Sequence, residues 1–267
     1  MGYELFNQLA GTVDTLANRC DSEPKNDGGK FMCPTDVYNE GWMLKLTLAF
    51  LIGMPDDANL SEDLKQIRDA AKAGWMAEGR LHPAFEHEQC THADAVLGDI
   101  EVDKDKKWCA TLKEDATKFV VIEAKLGSNL SKGTKNAKDF DQAARTVACM
   151  AYEMAKKGNQ DVSASYYLLL PEKDKNKNLN MVECAPNKAK EEASGKEKEG
   201  HLFRSTTDGR KTKFYKSCGS ITCKMLTWED IVKELSKKGS DEAKWLKGYY
   251  SADPNRPRKV MQVVEEV

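Results

Sequence analysis

The sequence predicts an α/β chain, a central mixed β-sheet flanked by helices and preceded by an N-terminal helical region. Two apolar stretches and the helix between them carry that prediction. Residues 118–126 read Lys-Phe-Val-Val-Ile-Glu-Ala-Lys-Leu, and apolar residues at successive positions mark a strand covered on both faces. Residues 163–170 include Tyr166, Tyr167, Leu168, Leu169 and Leu170, a second strand of the same kind. Between them, 137–157 places Phe140, Ala143, Ala144, Val147, Ala148, Ala151 and Met154 at helical spacing. Small residues there let a helix lie close on a sheet, and Gly158 is placed to end it.

The remaining elements follow from the same patterns. Residues 3–17 put Leu5, Leu9, Val13 and Leu16 on one side of a helix. After an Asp/Pro/Gly loop at 21–29, a second helix is expected from Thr35 or Asp36, either of which can cap it, to Ile52. Pro55 ends it. This helix is apolar nearly all round, with Glu40 the exception. A third is expected over 61–78, with Ser61 as cap and Leu64, Ile67, Ala71 and Trp75 as its stripe. Residues 80–93 read as irregular. A strand at 94–102, a polar tip at 103–107 and a strand at 108–112 make a hairpin, and the short spacing favours antiparallel neighbours.

Between 172 and 216 there are twelve Lys and Arg against eight Asp and Glu, so 171–218 is read as a charged insertion, mobile or partly ordered. A strand is expected over 220–226. Thr227 caps a helix over 228–237, and Ser240 or Asp241 caps another through Tyr250. Residues 1–80 thus form a helical region packed on a core at 81–170, which also takes in the helix carrying Glu40. Residues 219–267 complete the same domain.

Composition excludes several classes. With a net charge of −2 over 267 residues, global attraction to polyanions is not the signal, and any nucleic-acid surface is local. Eight cysteines in mainly apolar contexts read as reduced thiols of a cytoplasmic protein. No secretory signal peptide and no membrane span are expected, because the longest apolar run, 48–55, is too short to cross a bilayer.

The chemistry centres on Glu123 and Lys125. Glu-x-Lys occurs three times, at 23–25, 123–125 and 242–244, and only the middle one ends an apolar strand. Alternation puts Glu123 and Lys125 on one face there. Burying either charge alone costs several kcal/mol, so the end of that strand requires a partner, a metal or an open cleft. Cleavage of a phosphodiester with a divalent ion needs carboxylates to hold the ion and a lysine to position the nucleophile or stabilise negative charge. Asp94, on the preceding strand, is the candidate for a further acid, with Asp99 its rival. The backbone carbonyl of Ala124 lies between the two side chains as a further ligand.

This arrangement resembles the PD-(D/E)XK nuclease superfamily over roughly residues 35–170. Asp94 matches the first motif acid, with Ala93 where the family often has Pro, and Glu123 and Lys125 match the second. Gln142, at the start of the next helix, matches a glutamine of the exonuclease-like branches. Thr146 stands where those branches often carry Tyr. Glu40 matches the acid that many members bring to the metal from an upstream helix. The resemblance implies a restriction-endonuclease-like core and a Mg²⁺- or Mn²⁺-dependent nuclease. Asp94, Glu123, Glu40 and the Ala124 carbonyl would hold metal, Lys125 would assist the nucleophile and Gln142 would orient the site. The alternative is a catalytically silent DNA-binding or assembly module on the same fold.

The loop after Lys125 suits a phosphate backbone, with Ser128, Ser131, Lys132, Lys135, Lys138 and Arg145 as candidate contacts. DNA is the expected partner ahead of RNA, and a homodimer is compatible with the reading. His82, His87, His92, Cys90, Glu88 and Cys33 crowd one region without a zinc spacing. Asp139 and Asp141 are read as complementing the dipole of the helix that follows them.

Overall fold

The computed structural model describes residues 2–20, 38–86, 88–104, 108–133, 141–158, 161–201, 203–204 and 210–251. It contains helices α1 (Glu4–Cys20), α2 (Glu40–Gly53) and α3 (Glu62–Ala73), then strands β1 (Trp75–Leu81), β2 (Thr91–Gly98), β3 (Ile100–Asp103), β4 (Cys109–Leu112) and β5 (Lys118–Ala124). There follow α4 (Gln142–Lys157), β6 (Ser163–Leu170), a 3-10 turn (Glu172–Asp174), α5 (Lys175–Lys198), α6 (Arg210–Ser220), β7 (Thr222–Thr227), α7 (Trp228–Ser236) and α8 (Asp241–Ser251). The chain divides into two compact units, one made of residues 1–68 and 228–267 and the other of residues 69–227. The elements establish a mixed α/β architecture with helices flanking a mixed sheet.

The first unit is helical. Phe6 packs edge-on against Phe50 and Trp245, and Trp245 stacks on Tyr249. Asn39 caps α2 by accepting from the Trp42 N–H at 3.1 Å, so that helix begins later than expected. Thr35 and Asp36 lie outside the described residues. Ser240 caps α8, its Oγ accepting from the Ala243 N–H at 3.2 Å. Among the described residues, no helix is long and apolar enough to cross a membrane.

The second unit holds a seven-stranded sheet in the order β3-β4-β1-β2-β5-β6-β7. β2 runs antiparallel to β5, while β5, β6 and β7 are mutually parallel. Apart from its first residue, all of β5 is buried, as its unbroken apolar run required. The face bearing Phe119, Val121, Tyr166, Leu168 and Leu170 packs with α4, whose Ala143, Ala144, Val147, Ala148 and Ala151 are buried. Gly158 closes α4 in the left-handed region, with φ 70°.

Two expectations are corrected. The helix proposed for 61–78 stops at Ala73, and Trp75–Leu81 is a strand. Gly74 makes the break: its carbonyl accepts from the Gly98 N–H at 2.9 Å, and a Cβ on it would lie 3.0 Å from the Gly98 oxygen. The helical stripe was real through Ala71, and Trp75 extended it by coincidence. The charged insertion is also ordered over most of its length. In α5, Asn178, Val182, Ala185, Ala189, Ala193 and Lys196 form a buried stripe, and its apolar members join the core that contains α4. A stripe of mostly small residues carries little hydropathy, and Pro186 lies inside the helix, so the charge of the outward faces dominated the sequence signal. Ala189→Leu is expected to overpack this contact and cost about 1–3 kcal/mol. Asn187→Leu, at an exposed position of the same helix, is expected to cost under about 0.5 kcal/mol. Urea unfolding compares the two.

Asp99 sits between β2 and β3. Its Oδ2 accepts from the Thr117 N–H at 2.8 Å, the Thr117 hydroxyl at 2.9 Å and the Lys118 N–H at 3.1 Å. The Thr117 backbone bond is the main reason its carboxyl is held below the usual range, against a modest opposing effect of burial. A depressed value means that Asp99 stabilises the fold above the ordinary carboxylate range and stops doing so as pH falls through its folded value. Asp99→Ala is therefore expected to lower Tm at neutral pH, by about 1–2 kcal/mol in stability. The gap to wild type should narrow below about pH 4 in thermal melts.

Candidate active site

The register of β2 against β5 builds the site. Ala95 pairs with Ile122 and Val96 with Val121, and one further step places Asp94 opposite Glu123, on the same face. Asp94 Oδ2 accepts from the Ala124 N–H at 2.7 Å. Asp94 thereby ties the end of β5 to β2. The rival, Asp99, is engaged at the start of β5 with Thr117 and Lys118, so Asp94 is the acid that faces Glu123.

Glu123 is 3% exposed. Its Oε1 accepts from Lys125 Nζ at 2.5 Å and from Gln142 Nε2. Its Oε2 is buried without a hydrogen-bond partner. Burial is the main force raising its carboxyl to about 7, the negative charge of Asp94 adds to this, and Lys125 and Gln142 oppose it. Holding both acids ionised here is costly, and further positive charge would relieve that cost. Lys125 is fixed just past the strand, its N–H donating to the Leu169 carbonyl at 2.8 Å.

Gln142 is the first residue of α4, with Asp141 as the cap. Its Oε1 accepts from the Ser131 N–H at 3.2 Å, and its own N–H donates to the Ser131 carbonyl at 2.9 Å. One glutamine side chain therefore joins the loop after β5 to Glu123. Asp141 Oδ1 accepts from the Ala144 N–H at 2.8 Å, and its Oδ2 pairs with Lys188 Nζ at 3.0 Å. It complements the start of α4 as the sequence implied, and α5 supplies its countercharge.

Tyr166 belongs to the apolar run of β6. It pairs with Val121 on the neighbouring strand, so its ring lies on the face that carries Glu123. Its hydroxyl is buried without a hydrogen-bond partner. Burial first, then the charges of Glu123, Cys223, Asp141 and Asp94, push the phenol well above its usual range, so it stays protonated. An apolar strand run gave no signal that one of its two tyrosines would reach an acidic cluster.

The candidate phosphate contacts divide. Ser128, Ser131 and Lys132 are exposed in the loop after β5, whereas Lys135 and Lys138 lie outside the described residues. Arg145 is corrected. It is 5% exposed, its Nε donates to Thr91 Oγ1 at 2.8 Å and one terminal nitrogen donates to the Gln89 carbonyl at 2.8 Å. Helical spacing turns it inward beside Cys149, where it holds the segment leading into β2, so it is not a surface cation. Glu40 opens α2 in the first unit; the side chains that meet around Glu123 all belong to the second.

The crowded His/Cys segment disperses. His82 bonds Glu153, Glu88 pairs with Lys196 at 2.6 Å and His92 is exposed; His87 and Cys33 lie outside the described residues. Among the described residues, no three His, Cys, Asp or Glu side chains are grouped to hold a metal. The site at Glu123 thus offers two facing carboxylates, a donor set that suits a hard divalent ion retaining its own waters. The unpartnered Glu123 Oε2 fits such an ion.

No protein-family model matches the chain, and no curated protein or solved structure matches it.

Proposed function

We propose that this chain is a Mg²⁺- or Mn²⁺-dependent nuclease of the PD-(D/E)XK type, on a restriction-endonuclease-like core, acting on DNA ahead of RNA. The reading rests on one observation: Asp94, Glu123, Lys125 and Gln142 meet at the end of β5, with Glu123 Oε2 buried and unpartnered. Asp94 and Glu123 would hold the ion, with the Ala124 carbonyl as a further ligand. When bound, the ion supplies Lewis-acid activation of the phosphodiester. Lys125 brings an ammonium to the same face, where it stabilises negative charge on the reacting phosphate. Gln142 keeps the Glu123 carboxylate oriented, and exposed Ser128, Ser131 and Lys132 lie on the adjacent loop for backbone phosphates.

The bonds already made by Asp94 and Glu123 also suit a silent module, in which both acids only bind the ends of their strands. Incubation with linear, circular and single-stranded DNA separates the readings. The nuclease is expected to cleave with Mg²⁺ or Mn²⁺ and not with chelator. Salt-sensitive binding without cleavage in either metal would favour the silent module, and neither binding nor cleavage would remove both.

A further inference from the structure

Cys90 and Cys109 lie at opposite ends of a twenty-residue stretch that contains β2 and β3. Their sulfurs are 3.1 Å apart. Register explains the meeting. Arg80 of β1 pairs with Cys109 on one side and with His92 on the other. Continuing the β1–β2 pairing past Leu81 and Thr91 brings Cys90 level with His82, just beyond the end of β1. Cys90 and Cys109 therefore flank the end of β1, one on each side of it, and their sulfurs meet there. The segment carrying it is anchored, because Arg145 holds the Gln89 carbonyl and Thr91 Oγ1 at 2.8 Å each, and Cys109 is fully buried at the start of its strand.

We propose that Cys90 and Cys109 form a thiol–disulfide site that reacts with low-molecular-weight disulfides of the glutathione class. A disulfide needs an S–S distance of about 2.04 Å, so closure moves the sulfurs by about 1 Å. Cys90 is half-buried and Cys109 buried, which sets the order of events. The Cys90 thiolate attacks one sulfur of the small disulfide and releases one small thiolate. That thiolate takes the Cys109 proton. The Cys109 thiolate then attacks the Cys90 sulfur of the mixed disulfide and expels the second small thiolate, which picks up the proton lost from Cys90. Two protein thiols and one small disulfide become one protein disulfide and two small thiols. Burial, followed by the hydrogen bond with Cys90, raises the Cys109 thiol to about 12, so the second attack is the slower one and the mixed disulfide accumulates first.

The bridge would staple β4 to the entry of β2, the strand that carries Asp94. The site stands independently of any nuclease activity. The test incubates the full chain with oxidised glutathione and maps the peptides without reduction. The expected product joins the Cys90 and Cys109 peptides. It is preceded by glutathione on Cys90 and raises Tm by roughly 5–10 °C, a gain that dithiothreitol reverses. Cys109→Ser should stop the reaction at the Cys90 mixed disulfide, and Cys90→Ser should leave Cys109 unmodified. Each variant is checked for wild-type circular dichroism and Tm in reductant before it is used. Persistent glutathione on Cys90 in the wild-type chain, or a bridge from either cysteine to another position, would overturn the proposal.

Discussion

Glu123→Gln is expected to reduce metal-dependent cleavage by at least about a thousandfold while leaving the fold intact. The substitution keeps the volume of a residue that is 3% exposed. It also removes the charge that burial and Asp94 make costly, so Tm in chelator should hold or rise slightly. Lys125→Met keeps an apolar stem and removes the ammonium that meets Glu123 Oε1 at 2.5 Å. A buried carboxylate that loses its partner costs about 3–5 kcal/mol if it stays charged. Glu123 avoids most of that cost by taking up a proton, so the chain should stay folded and inactive. Cleavage assays run beside circular dichroism separate loss of chemistry from loss of fold. Wild-type rates in either folded variant would refute the assigned roles.

Gly98→Ala is expected to be among the most damaging single changes in the second unit. Gly98 has φ +120°, a conformation side chains rarely adopt, and an added Cβ would lie 2.1 Å from the Lys118 carbonyl oxygen and 2.8 Å from its carbon. Both are backbone atoms of the neighbouring strand and cannot swing aside. Gly98 also pairs with Phe119 and donates to the Gly74 carbonyl at 2.9 Å. A residue there must push β2 from β5, at a cost of about 4 kcal/mol or more. The Asp94–Glu123 alignment depends on the same register, so activity should fall with stability. Urea unfolding of Gly98→Ala measures it; a loss under about 1 kcal/mol would show that the strands can separate locally at little cost.

The sequence made the centre of the sheet legible because β5 and β6 are apolar at consecutive positions, a pattern only a strand covered on both faces needs. Glu123 and Lys125 stood out for the same reason, as charges at the end of such a run. Asp94 could not be separated from Asp99 by alternation, because Gly98 breaks the strand between them and only the fold reveals which end of β5 each acid meets. The first strand was hidden because Trp75 continued the spacing of a real helix past Gly74. Helix α5 was hidden because alanine packs by fit and adds little hydropathy. Arg145 read as a phosphate contact from its charge, yet its position on α4 turns it inward. Tyr166 gave no sign, since a buried phenol and a core aromatic look alike in sequence.

Mn²⁺ binding to the whole chain, followed by calorimetry without nucleic acid, tests most directly whether Asp94 and Glu123 share a cation. Wild type is expected to bind, and Glu123→Gln and Asp94→Asn to bind about a hundredfold more weakly while remaining folded. A wild-type chain that takes up no Mn²⁺, or variants that bind it as wild type does, would contradict the shared site.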